Sequence, residues 1–247
     1  LFLLFHFHEP FVQERKREVL SFAMLNSSRW RRDFCWFLIV INSFTFLSCL
    51  LISYLYTWRK DCWTDCDSAD VAYKGPLSNV FPTISAVTGS HYPQLVIFRI
   101  GTALNIGPRF CYTVIHHYQT FRSKPLITFM LLELLGLLFL SYITIDESYI
   151  LHKVATTVFL ISQLIVLITC VQKPRVRKQP ALVKLVATNI LCFLFLFLGY
   201  YLHMSCVPLA YTVFAVAEWI IVFTNIFFHS LLVTLDDDTT QKPMLGV

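Results

Sequence analysis

LITFMLLELLGLLFLSYITIDESYILHKVATTVFLISQLIVLITCVQ, residues 126–172, decides the fold class. Two apolar runs, Leu126–Ile145 and Val154–Gln172, are parted only by the polar stretch DESYILHK at 146–153. A helix rises 1.5 Å per residue, so about 20 apolar residues cross about 30 Å of hydrocarbon. Both runs have that length, and the short polar break between them reads as a turn at a membrane surface. Working outward, Phe34–Thr57, Leu185–Leu202 and Pro208–Leu235 are further spans. A sixth, Leu95–Tyr118, is less hydrophobic because it carries Arg99, Asn105, Pro108 and Arg109.

Composition agrees. Of 247 residues, 56% are apolar, 14% are charged and 23 are Phe, whereas about a quarter of a soluble domain is charged. So few charges cannot cover a soluble surface, and so many aromatics exclude a disordered chain. The expected fold is all-α, a polytopic membrane bundle of six helices.

Charge distribution orients the bundle. With six spans, the N-terminal arm, the 119–125 and 173–184 loops and the tail hold 14 Lys or Arg against seven acidic residues. The alternate set, 58–94, 146–153 and 203–207, holds four against six. The basic side faces the cytosol, so both termini are expected there. The expected organisation is a basic arm at 1–33, a membrane domain at 34–235 with a luminal loop at 58–94, and a tail at 236–247. The net charge of +5 does not indicate nucleic acid, because the basic residues form short clusters between spans rather than a stripe. LFLLFHF at 1–7 is too short an apolar run for a signal peptide and reads as a truncated end or a membrane-surface segment.

Pro125 and Pro208 mark helix starts, whereas Pro108 falls inside the second span and is expected to kink it. Gly75-Pro76, Phe81-Pro82 and Gly89-Ser90 punctuate the long loop as turns or a partly re-entrant segment. Cys35, Cys49, Cys111, Cys170 and Cys192 fall in spans and read as small hydrophobes. Cys62, Cys66 and Cys206 fall on the oxidising side, where Cys206 is expected to pair with Cys66 or with Cys62. C-x3-C is weak evidence for zinc, so neither metal nor cofactor is expected. The sequon Asn26-Ser27-Ser28 lies on the cytosolic side and is not expected to be glycosylated.

Any chemistry must use the ionisable groups in or near the bilayer, which are costly to bury there. Glu218, Asn225 and His229 are seven and eleven residues apart on the last span, which returns them to one face. That stripe is either part of a site or an interhelical hydrogen-bond seam. Arg109 is deep and needs Glu133 or Glu218 as a partner, while Arg99 lies near the outer surface. Two guanidiniums facing a cavity also suit a lipid phosphate. His152 is the candidate general base, with Asp146 or Glu147 folding back to orient it, and Glu218 and His229 are further catalytic candidates. His116-His117, at the opposite end of the second span, does not belong to that site. Soluble-type acyltransfer and nucleotide motifs are missing from the sequence.

Four stretches carry a resemblance: PTISAVTG (82–89), FRIGTALNIGPRF (98–110), LLELLGLLFLSYITIDESYILHK (131–153) and YTVFAVAEWIIVFTNIFFH (211–229). In order, spacing and membrane position they resemble the post-GPI-attachment-to-proteins factor 2 family, within a wider group that includes the damage-regulated autophagy modulators. The resemblance runs from about residue 34 to 235. It implies a multi-pass protein of the Golgi and endoplasmic reticulum, needed when lyso-GPI-anchored proteins regain a saturated sn-2 chain. The positions carried over are Pro82, Arg99, Pro108, Arg109, Glu133, His152, Cys206, Glu218, Asn225 and His229, with Cys66 as the loop cysteine. The chain departs from that pattern in its extra Cys62, the acidic DCWTDCDSAD and Lys153.

Two functions compete at this point. One is a lipid-remodelling factor of the GPI pathway, required for or assisting reacylation of lyso-GPI-anchored proteins, with a donor phospholipid or acyl-CoA. The other is a non-enzymatic subunit that recruits or stabilises a separate acyltransferase, with an autophagy-modulator role as a weaker third reading. A channel is disfavoured, since the four buried charges sum to zero.

Overall fold

The computed structural model describes residues 28–66, 75–77, 79–89, 91–117 and 121–235. The sequence-based expectations for the first 27 residues and for the tail fall outside them. In chain order, α1 (Ser28–Ile52) passes through a π-helical turn, Ser53–Thr57, into α2 (Trp58–Asp61). Strands β1 (Thr64–Cys66) and β2 (Gly75–Leu77) follow, then α3 (Ile84–Gly89) and α4 (Gln94–Tyr112), which ends in a second π-turn, Thr113–His117. The remaining helices are α5 (Lys124–Tyr142), α6 (Tyr149–Val171), α7 (Pro174–Arg177), α8 (Pro180–Met204) and α9 (Ala210–Leu232).

Local chemistry sets these boundaries. Pro125 is the second residue of α5 and Pro180 the first of α8, where a missing N–H breaks no helical bond. Ser148 caps α6, its Oγ accepting from the Leu151 N–H at 3.4 Å. This cap starts the helix earlier than hydropathy suggests, so His152 lies in the first turn of α6 rather than in the preceding loop. Pro208 stands two residues ahead of α9, whose N-cap Leu209 is left-handed at φ 64°. Pro108 sits within α4, which continues to Tyr112, and the hydrogen-bond pattern widens only beyond it.

Each long helix packs against the one before it, and α9 returns to α1, which closes a ring of six. Glycines set the tightest crossings. A Cβ on Gly136 of α5 would lie 2.8 Å from the Phe159 backbone nitrogen of α6. One on Gly199 of α8 would lie 2.8 Å from that of Phe214 on α9. Small residues bring helix backbones together where lipid offers no hydrophobic drive. The contact between α6 and α8 is the loosest in the ring.

Among the described residues, five helices are long and apolar enough to cross a membrane: that spanning Arg29–Asp61, and α5, α6, α8 and α9. The sixth, α4, misses that measure because of its polar residues, yet it packs between α1 and α5 as a full member of the ring. Outward faces are apolar, with Phe44 67% and Phe197 63% exposed, as suits a lipid-facing surface. One core cluster, including Met130, Leu167, Val186 and Phe228, fills the end of the bundle near α7. A second, with Phe46, Val87, Phe98 and Trp219, fills the opposite half beneath α3.

The described part of the long loop carries more structure than turn signals alone predict. β1 and β2 pair antiparallel, with Thr64 opposite Leu77. Strands of three residues carry too little alternation to be read from sequence. The segment after them is sewn to α9: Val80 N–H donates to Thr212 Oγ1 at 3.0 Å and Trp219 Nε1 to the Pro82 carbonyl at 3.0 Å. Tyr211 Oη donates to the Asp61 carbonyl at 3.0 Å. The Asp61 side chain in turn accepts from Ser53 and Thr57 of the π-turn. Cys62 is a buried free thiol, pushed up to about 11 by burial and then by the neighbouring Asp61. That sets aside the pairing of Cys62 with Cys206.

Candidate functional site

The ring encloses a cavity of about 280 Å³ that reaches from beneath α3 to mid-bundle. Its walls are apolar, with Phe98, Leu137, Leu140, Phe159, Leu160 and Leu196 contributing. Polar groups gather at its two ends. At the outer end are Ser85, Thr88, Thr144, His152 and Glu218, and at the deep end Asn42, Asn105, Arg109 and Asn225. Glu218 and Asn225 are seven residues apart on α9, so the ends are separated by about 10 Å along the bundle. Lys153, Thr157, Phe197 and Tyr200 also line the cavity, which therefore opens sideways where α6 and α8 touch least.

The deep end closes on Glu133, which is completely buried. Arg109 Nη2 donates to its carboxylate at 3.0 Å, Asn225 Nδ2 at 3.1 Å and His229 Nε2 at 3.0 Å. A carboxylate only accepts, so His229 carries its proton on Nε2. Three helices, α4, α5 and α9, are thereby locked through one side chain. Asn105 Nδ2 donates to Asn42 Oδ1 beside this knot, joining α4 to α1. A second polar seam lies between α6, α8 and α9: Asn189 Nδ2 donates to Thr224 Oγ1 at 2.7 Å, and Asn189 Oδ1 accepts from Gln163 Nε2 at 3.3 Å.

The outer end is built differently. Glu218 Oε2 accepts from the Ile84 N–H at 2.9 Å, and the half-buried carboxyl faces the cavity. The next residue of α3, Ser85, approaches Nε2 of His152 at 3.3 Å. His152 Nδ1 is 2.7 Å from the Ile143 carbonyl oxygen. That carbonyl can only accept, so the neutral ring carries its proton on Nδ1 and presents the Nε2 lone pair to the cavity.

The sequence-derived residues thus fall into two groups. His152 and Glu218 meet at the outer end, while Arg109, Glu133, Asn225 and His229 meet at the deep end. Asn225 and His229 share their α9 face with Glu218, but the stripe splits between the two ends. Neither Asp146 nor Glu147 orients His152; the Ile143 carbonyl does. Arg99 and Arg109 do not converge on one cavity. Arg99 lies at the rim, donating to the Tyr142 carbonyl at 2.9 Å and to Glu147 at 3.2 Å. The Thr144 N–H, and then the Arg99 guanidinium, hold the Glu147 carboxyl below the usual carboxylate range. Cys66 ends β1 and Cys206 follows α8 at a left-handed φ of 59°. Ser85 and Thr88 are not singled out by the sequence, and Asn105 is marked there only as a polar residue of the second span. Ser85 lies within the PTISAVTG stretch, but nothing in its spacing points to a histidine 67 positions away.

Residues 31–236 match the family described as the Frag1/DRAM/Sfk1/Cwh43P N-terminal domain. The chain belongs to this family. Among curated relatives it is 30% identical to "Acyltransferase PGAP2" of Xenopus tropicalis, over 75% of this chain and 79% of that protein. It is 29% identical to "Post-GPI attachment to proteins factor 2" of Caenorhabditis briggsae, over 78% and 80%. It is 28% identical to the protein of the same name from Caenorhabditis elegans, over 81% and 84%. No solved structure matches the chain. The Frag1/DRAM domain accounts for the whole helical ring, and with five strongly apolar helices it makes the chain a multi-pass membrane protein.

Proposed function

We propose that this protein remodels the lipid of GPI anchors, returning a saturated acyl chain to the free sn-2 hydroxyl of lyso-GPI-anchored proteins. The relatives named above support the pathway. The observation that carries the chemistry is His152: its Nδ1 is committed to a backbone carbonyl, and its Nε2 faces an apolar cavity that opens sideways toward lipid. A positioned imidazole of that kind accelerates proton transfer by about 10²–10⁴-fold. The apolar walls sheath an acyl chain, and the gap between α6 and α8 admits it from the bilayer. Arg99, at the rim, is placed to meet an anchor phosphate if Glu147 yields. Arg109 and His229 act as structure, tied to Glu133.

The basic loops support a cytosolic position for both termini, which puts His152 and α3 on the luminal side. A disulfide belongs to the same reading. Six cysteines, including Cys62, are free, which favours the other luminal cysteine as the partner of Cys206. We assign its partner as Cys66, which would staple the luminal loop to the α8–α9 turn. The Golgi membrane is the compartment this function requires.

The test is rescue in cells lacking the relative, with mass spectrometry of anchor lipids and surface retention of a GPI-anchored reporter. Wild type is expected to restore the saturated sn-2 chain and His152→Ala to leave lyso-GPI at matched accumulation. Full rescue by His152→Ala would favour a non-enzymatic subunit that recruits a separate acyltransferase.

A further inference from the structure

Ser85 faces the same cavity as His152, and a base acting directly on the incoming lipid hydroxyl has no use for it. Its Oγ lies 3.3 Å from Nε2, while Nδ1 is 2.7 Å from the Ile143 carbonyl oxygen. The carbonyl fixes the tautomer, and the tautomer puts the lone pair on the serine side. Hydroxyl, base and orienting acceptor therefore stand in series, the arrangement that activates a serine. Both partners are held firmly. Ile84, beside Ser85, donates to Glu218 at 2.9 Å, and Thr83 N–H to Tyr211 Oη at 3.3 Å. Thr156 Oγ1 braces the His152 carbonyl at 2.8 Å. Ser85 itself is only half-buried, its hydroxyl open to the apolar space.

We infer that Ser85 is a nucleophile that carries the acyl chain between donor and acceptor. The inference rests on the acyl-transfer reading above and adds a covalent intermediate to it. In the first half-reaction Ser85 Oγ attacks the carbonyl carbon of an acyl ester or thioester and its proton passes to His152 Nε2. The bond from that carbon to the donor oxygen or sulfur breaks, the electron pair leaves with the donor, and His152 returns the proton to it. The products are an acyl-serine ester and a free alcohol or thiol. In the second half-reaction the lyso-lipid hydroxyl gives its proton to Nε2 and attacks the ester. The Ser85 oxygen leaves with its electron pair and regains the proton. No oxidant or further reactant is needed.

The experiment uses the purified full chain in lipid nanodiscs, treated with a long-chain alkyl fluorophosphonate and analysed by peptide mass spectrometry. An adduct on Ser85 is expected, forming at least about 100-fold more slowly in His152→Ala. In the cellular rescue, Ser85→Ala is expected to leave lyso-GPI. Ser85→Cys is expected to hold the acyl group as a thioester released by neutral hydroxylamine. Absence of a Ser85 adduct, or full restoration of the saturated chain by Ser85→Ala, overturns the inference and leaves His152 acting directly on the acceptor. If wild type restores no chain while Ser85 still reacts, the GPI reading falls and the nucleophile stands.

Discussion

Two carboxylates inside the ring, on facing helices, have opposite surroundings. Glu133 is fully enclosed and receives Arg109, Asn225 and His229, so its charge is matched and its lone pairs are occupied. Glu218, about two turns further out along α9 than Asn225, receives one backbone N–H and otherwise faces the cavity. A histidine stands near each. His229 is spent on Glu133, whereas His152 keeps a lone pair for whatever occupies the cavity. A polar group with every partner in place rigidifies a bundle, and one left under-partnered beside an apolar space is available for chemistry. The deep end therefore holds the ring together, and the outer end is the one left open for the proposed chemistry.

The largest effect should come from breaking the deep end. Glu133→Ala leaves the Arg109 guanidinium buried without its carboxylate, and breaking a buried pair this way costs about 3–5 kcal/mol. Loss of folded protein is expected, seen as poor accumulation and a collapsed thermal transition in detergent. Activity per folded molecule should change little. A well-folded Glu133→Ala protein that lacks only activity would reverse the roles of the two ends. His152→Gln should do the opposite: near-normal accumulation with acyl transfer lowered by about 100-fold or more. The cellular lipid assay, normalised to folded protein, separates the two.

Much of this was legible beforehand, and the reason is physical. A polytopic helical bundle and the need of Arg109 for a carboxylate follow from the cost of placing polar groups in hydrocarbon, a rule that acts on sequence directly. The helical offset of Asn225 and His229 identified a common face, and that face does meet Glu133. What could not be read were contacts made by backbone. The Ile143 carbonyl that fixes His152, the Ile84 N–H that holds Glu218 and the Pro82 carbonyl that receives Trp219 leave no trace in side-chain identity. Ser85 stayed hidden because only the docking of α3 among α1, α4 and α9 brings it to His152. The pairing of Arg99 with Glu147 was equally invisible, because it depends on how the α5–α6 turn folds back.

Between the two ends, the wall offers a way to sharpen the contrast without touching a polar group. Leu160, half-buried, lines the cavity about two turns into α6 beyond His152. Leu160→Trp adds bulk to a space of about 280 Å³ and should shorten the chain that fits rather than abolish transfer. Overpacking costs about 1–3 kcal/mol where a core is already full, and less where the added ring enters a void. The anchor lipid profile is expected to shift toward shorter saturated chains with little change in thermal stability. An unchanged profile would mean that the acyl chain lies elsewhere.

The smallest effect belongs to the rim, and its sign can be worked out. Thr144 and Arg99 lower the Glu147 carboxyl from its ordinary value in the folded protein. A group whose pKa falls on folding stabilises the fold above its unfolded pKa, about 4.3 for Glu, and loses that contribution as pH drops through the lower folded value. Glu147→Gln should therefore be slightly less stable than wild type at neutral pH, with the difference shrinking only as the medium becomes more acidic than that range. Salt should also diminish it, because the Arg99–Glu147 pair is exposed to solvent. Thermal melts of both proteins across pH and salt measure this directly. If the difference persisted in strong acid, Glu147 would act through packing of the α5–α6 turn rather than through its charge. In that case releasing Arg99 to an anchor phosphate would disturb the turn that holds the Ile143 carbonyl against His152, and the rim would be coupled to the catalytic base instead of lying beside it.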